Sequence, residues 1–255
     1  MKYQEIKNSR VGIGLLYFIK WTVVSCIIGI VGGAVGTVFG HGVRLATKAF
    51  QNFGWLLLLL PAAGCMIVWL YHKFHEEENR GTNMVLLSIS DNEKITPATA
   101  PLIFVSTILT HLTGGSAGRE GAALQLGGSI GSLMGQAARL DEKDRKIAVI
   151  CGMSACFGAL FGTPLAAAVF CMEVANVGVF YYAALIPSLF ASFIGAGIAS
   201  QFGLVGEHFV IQEIPEFGVG PAAVIVVLGI LCALVSVGLC ILLHRGEHLY
   251  KKYIG

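Results

Sequence analysis

Charge is what this chain has least of. Asp, Glu, Lys and Arg together make up 13% of its 255 residues, about half of the roughly 25% that a soluble domain carries. Hydrophobic residues make up 55% and the mean hydropathy is +0.76. Such a composition excludes an ordinary soluble domain and predicts several membrane spans of about 20 apolar residues each. The formal net charge is only +2, which leaves no basic surface for nucleic acid. The small basic excess suits Lys and Arg flanking membrane spans. No HExxH pair or nucleophile elbow occurs, and His41, His72 and His111 are scattered, so neither an enzyme, a metal site nor a cofactor is expected. The seven cysteines are Cys26, Cys65, Cys151, Cys156, Cys171, Cys232 and Cys240. They form no CxxC pair, are odd in number and lie in apolar segments, so they read as small core hydrophobes rather than a disulfide framework. A cleavable signal peptide is not expected, because the first apolar run continues far past the length of an h-region. No internal repeat is evident.

Apolar segments are abundant. After a polar tail at 1–10, segment 11–47 is a glycine-rich run interrupted by Lys20 and His41. Its Gly29xxxGly33 and Gly32xxxGly36xxxGly40 spacings let membrane helices approach closely, and one long tilted helix is predicted. Segment 53–72 is a second span with Trp55 and Trp69 as interfacial anchors. Residues 73–80 read as a solvated charged loop, 81–90 as a partial helix too short to cross, and 97–113 as a further apolar segment. A helix over 121–138 carries Gly127xxxGly131xxxGly135. Asp141 to Lys146 is either a water-exposed loop or a helix start with its acids first. Segment 147–161 is broken by Gly162-Thr-Pro164 and resumes as a short helix over 165–175. Spans follow at 180–203 and 219–243, separated by a polar loop at 204–218, and 244–255 is a polar tail. Short, Gly- or Pro-interrupted hydrophobic pieces are how transporters place helix ends at mid-membrane.

The charges that do interrupt the apolar sequence are therefore informative. Between Lys94 and Arg139 the only Asp, Glu, Lys or Arg residues are Arg119 and Glu120, inside Gly114-Gly-Ser-Ala-Gly-Arg-Glu-Gly-Ala122. A carboxylate at membrane depth costs about 3 kcal/mol and marks a functional site by default. Glycines on either side let backbone N–H groups approach an ion. A helix starting near Glu120 presents free N–H groups and a positive dipole end, which together favour an anion. Glu120 can fill that place itself as a tethered anion and leave it on protonation, so one residue can serve as gate and proton carrier. The plain alternative is a carboxylate satisfied by a neighbouring cation. Arg119 either adds charge to the site or bonds loop carbonyls.

Gly114-Gly-Ser-Ala-Gly-Arg-Glu-Gly followed by Leu124-Gln-Leu-Gly-Gly-Ser-Ile-Gly131 closely resembles the CLC family of chloride channels and proton-coupled anion antiporters. So does Gly162-Thr-Pro-Leu-Ala-Ala-Ala-Val-Phe-Cys-Met-Glu173. The resemblance implies an all-α, polytopic membrane bundle of tilted, partly re-entrant helices, made of the first inverted repeat and the opening helix of the second, as one transmembrane domain over 1–255. It implies Glu120 as the gating glutamate and an anion site lined near Gly118, Arg119, Gly121 and Ala122. Three departures stand out. Ala122 replaces the usual Pro. Gly81-Thr-Asn-Met-Val stands in place of Gly-Ser-Gly-Ile-Pro, so Asn83 or Met84 takes the place of the chloride-contacting serine. Val174 stands where many antiporters carry an internal proton-donor acid. These departures resemble the fluoride-exporting subgroup. Met84 also admits a plain reading as apolar packing, and the family's acid matching Glu173 is mostly structural.

The second half's Gly-x-Phe-x-Pro motif and its pore-lining tyrosine have no match here, so the chain is expected to need the remaining half of the subunit. The resemblance further implies a homodimer in the cell membrane, with a cytoplasmic amino terminus, acting on fluoride or chloride and protons within a lipid bilayer. The alternatives are a passive chloride channel of the same family and a non-transporting membrane fragment or scaffold.

Overall fold

The structure is a computed structural model that describes residues 10–77, 81–90, 95–175, 181–204, 206, 216 and 218–253. Its regular elements are helical, with no strand among the described residues. The helices are α1 (Arg10–Asn52), α2 (Leu60–Lys73), α3 (Thr82–Ser90), α4 (Thr99–Leu112), α5 (Arg119–Ala137), α6 (Glu142–Phe161), α7 (Pro164–Ala175), α8 (Leu185–Gln201) and α9 (Val219–Tyr253). A 3-10 turn over Gly54–Leu59 leads into α2, and another over Tyr182–Ala184 leads into α8. The chain divides into two units, 1–207 and 208–255.

Four helical stretches among the described residues are long and apolar enough to cross a membrane: Gly14–Asn52, Gly54–Lys73, Tyr182–Gln201 and Val219–Tyr250. With its 43 residues, α1 measures about 64 Å at 1.5 Å per residue, twice the roughly 30 Å of a bilayer core, so it can span only with tilt. In the second unit, α9 is a helix of 35 residues. It runs through most of the stretch read as a polar tail: the helical pattern of main-chain bonds continues past His244 to Tyr253.

The centre of the first unit is α6, which packs on α1, α5, α7 and α8. Neither α5 nor α6 is among the four candidate spans: α5 is built largely from small and polar residues, and α6 carries charges throughout its first turn. Small residues permit contact that bulky ones would prevent. A β-carbon on Gly127 of α5 would come within 2.3 Å of the Gly152 carbonyl oxygen of α6, and one on Gly131 within 2.2 Å of the Ala148 carbonyl oxygen. Main chain therefore rests directly on main chain, the geometry that small-xxx-small spacing allows. The same applies between α1 and α8, where a β-carbon on Gly33 would stand 2.5 Å from the Gly195 Cα.

Asp141 settles how α6 begins. Its side chain accepts from the Asp144 N–H at 2.8 Å, an N-cap. The acids at 141–146 are thus a helix start rather than a loop, and Asp144 is buried and paired with Lys20 of α1. The other end of α6 closes at Gly162, whose φ of +69° is left-handed and therefore suits glycine. Pro164 then opens α7 at its first position, where a missing N–H is harmless.

The segment read as a solvated loop after α2 differs from that reading at Glu76. Its side chain is buried, and the Thr96 and Thr99 hydroxyls donate to it. Thr99 opens α4, whose positive end favours a carboxylate there. The following Glu77 does face solvent and pairs with His72.

Candidate functional site

Two helix starts meet at the glycine-rich motif. One is α5, which begins at Arg119 after Gly118, an extended residue with φ −77° and ψ 140°; no side chain closes the cap. First-turn N–H groups are left to other partners when a cap is open. The Glu120 side chain folds back over this end: its Oε2 lies 2.7 Å from the point a β-carbon on Gly118 would occupy. Glu120 is exposed, so the carboxylate is reachable.

The other start is α3. Thr82 follows Gly81, whose φ is +65°. The Thr82 Oγ1 lies 2.8 Å from the position of a β-carbon on Gly121, and Gln125 Nε2 donates to it at 3.4 Å. Farther along, a Val85 methyl lies 2.4 Å from where Gly128 would carry its β-carbon. Thr82 meets Gly121 and Gln125, and Val85 meets Gly128, so the two helices advance in the same direction. Their positive dipole ends therefore lie together. Two such ends favour an anion without any side-chain cation.

The residues singled out in the sequence separate by location. Gly118, Glu120 and Gly121 sit at the junction. Arg119 is held elsewhere: its guanidinium lies 5.3 Å from the Phe161 ring centroid, a cation–π distance that ties α5 to the end of α6. The Ala122 side chain is buried in an apolar cluster with Phe39, Leu126 and Leu160. Asn83 is exposed and Met84 is half-buried in the first turn of α3. Glu173 is exposed on α7, and Val174 packs against the other apolar cluster. The sequence reading missed Thr82 and Gln125, which join the two helix starts. The signal was the amide of Gln125, about one and two-thirds turns into a helix of mostly small and apolar residues. No group of three or more His, Cys, Asp or Glu side chains among the described residues could hold a metal ion.

A sequence profile described as "Voltage gated chloride channel" matches residues 63–255, which include both helix starts. The chain belongs to the CLC family. Among CLC relatives, the "Chloride/fluoride channel protein" of Pseudomonas syringae pv. tomato is 31% identical over 241 residues, covering 94% of this chain and 53% of the relative. An uncharacterised protein of Methanocaldococcus jannaschii is 29% identical over 181 residues, covering 69% and 43%. The chain thus spans about half the length of the curated relatives it matches. Among solved structures, a CLC-type fluoride/proton antiporter superposes with a TM-score of 0.84 at 31% identity, over 97% of this chain and 62% of that one. A slow cyanobacterial Cl−/H+ antiporter gives a TM-score of 0.66 at 19% identity over 83% and 53%, a likeness in CLC fold alone.

Proposed function

We propose that this CLC chain takes part in proton-coupled antiport of fluoride, with Glu120 as gate and proton carrier. The observation that carries the reading is the Glu120 carboxylate folded over the open cap of α5, beside the start of α3. An ionised Glu120 competes with an incoming anion for the same two helix ends. Protonation removes its charge, and the anion takes its place. Exchange of one anion for one proton at a single place couples the two flows. Main-chain N–H groups from Gly118 to Ala122 line the anion site, and Asn83 and Met84 adjust its size and hydrogen bonding for a small, strongly hydrated ion. Arg119 and Glu173 are structural in this scheme, the first through Phe161.

Transport requires the rest of a CLC subunit, and two subunits form the dimer, in the cell membrane with a cytoplasmic amino terminus. Fluoride efflux and fluoride-driven proton uptake, measured together in liposomes that hold this chain with the rest of the subunit, test the reading. Glu120→Gln abolishes proton movement. Proton flux that survives this substitution overturns the coupling role. Passive fluoride or chloride efflux without proton movement in the unmodified protein makes it a channel, and chloride moved as readily as fluoride removes the selectivity.

A further inference from the structure

The second unit is the helix α9, and its final turns differ from the rest of it. Residues 219–243 contain no Asp, Glu, Lys, Arg or His. At 1.5 Å per residue that stretch is about 38 Å long, already more than the roughly 30 Å of a bilayer core. The polar residues from His244 to Tyr253 follow in the same helix. They therefore extend past the hydrocarbon, among headgroups and water.

Two of the chain's seven histidines, His244 and His248, stand here. Their spacing of four places them one above the other on a single helix face, with β-carbons about 6 Å apart. Both are exposed, and both line one groove together with Cys240, Ile241 and Arg245. His41, His72 and His111 each have a partner: the Phe202 carbonyl, the Glu77 carboxylate and the Thr107 carbonyl. The imidazoles of the α9 pair have none among the described residues. Between them lies Gly246. Nothing comes within 4 Å of a β-carbon placed on it, so no close helix crossing accounts for this glycine. An exposed helical glycine costs about 1 kcal/mol against alanine, and a link between the side chains on either side would hold the turn.

We propose that His244 and His248 chelate a divalent transition-metal ion of the zinc class at the membrane-surface end of α9, with water completing the coordination. Two histidines four apart on a helix are ligands already turned to one side. Each supplies a neutral imidazole nitrogen, bound at about 2.0–2.1 Å to zinc, and imidazole also suits copper and nickel. Cys240 lies two turns from His248, about 12 Å along the axis, so one ion cannot take both. That agrees with the lack of a three-ligand group among the described residues. Cys240 and His244 share the same spacing, but a thiol must lose its proton before it binds, whereas a neutral imidazole need not. The bound ion clamps the turn around Gly246 and stiffens the end of α9. The site does not depend on the antiport reading.

Zinc chloride titrated in a calorimeter into the purified chain with the rest of its subunit, in detergent, tests the site. The variants are His244→Ala, His248→Ala, Cys240→Ser and His72→Ala. All four positions are exposed, so the fold is kept, and an unchanged Tm checks it. The unmodified protein is expected to bind one zinc per chain. Each α9 histidine variant weakens binding by about tenfold or more, because the second ligand of a chelate binds intramolecularly. Cys240→Ser and His72→Ala leave it unchanged. Zinc also slows amide hydrogen exchange over residues 244–253 in the unmodified protein and not in His248→Ala. No zinc binding by the unmodified protein overturns the proposal. So does affinity kept in both α9 histidine variants, or exchange over 244–253 that zinc leaves as it was. Affinity lost in His72→Ala puts the ion at the end of α2 beside Glu77. Affinity lost in Cys240→Ser but kept in His248→Ala moves it one turn along α9. Either result overturns the pair.

Discussion

At the start of α5, Gly118 and Gly121 face a carboxylate and a hydroxyl; farther along the same helix, Gly127 and Gly131 face the main chain of α6. The missing side chain does opposite things in these two places. At the open end it clears room for polar groups, the Glu120 carboxylate and the Thr82 hydroxyl. At the crossing it removes the gap between two helices and fixes them. The sequence motif is similar in both, a glycine every three or four residues, and only the neighbour decides which role it plays.

Substitution separates the two roles. Gly127→Leu has the largest expected effect, since its side chain would enter the Gly152 main chain, and overpacking of this kind costs about 3 kcal/mol. Aggregation or a large fall in Tm during size-exclusion and thermal assays checks it; a monodisperse variant of unchanged Tm breaks the comparison. Gly118→Ala comes next. Its φ is ordinary for alanine, so the fold and Tm stay as they were. The new methyl displaces the Glu120 carboxylate, and fluoride-driven proton flux falls several-fold. Thr82→Val is smaller: it strips Gln125 of its acceptor and costs about 1 kcal/mol, read as a modest fall in Tm. Lys20→Met is weaker again, because Lys20 is half-exposed although Asp144 is mostly covered; a loss of about 1 kcal/mol or less is expected, measured by thermal unfolding in detergent.

The sequence made the spans and the proposed gate, Glu120, visible because both depend on local composition. A lone Glu among glycines and a long apolar run are one-dimensional signals. The helix breaks at Gly162-Thr-Pro164 and the acids at 141–146 were legible for the same reason, though only the Asp141 cap decided between loop and helix start. What stayed hidden depends on neighbours through space. Thr82 looks like any threonine until α3 lies along α5. Glu76 sits in a charged run, and nothing local reveals that two threonines from beyond α3 cover it. Hydropathy also underrates α5, whose burial follows from small size rather than from oiliness, and α6, whose charged first turn masks an apolar remainder. Arg119 shows a further gap: the sequence left its role open between the anion and loop carbonyls, and its contact with the Phe161 ring on another helix was not legible.

Because α3 and α5 run in parallel, the attraction for an anion at their shared end is written in the main chain. Peptide dipoles are present whatever side chains the helices carry. Residues 82 to 84 can therefore change identity, and with it size and hydrogen-bonding character, while the local potential stays in place. Under the proposed reading, affinity and preference become separately adjustable traits, and a few substitutions there retune the preferred anion without rebuilding the field that attracts one.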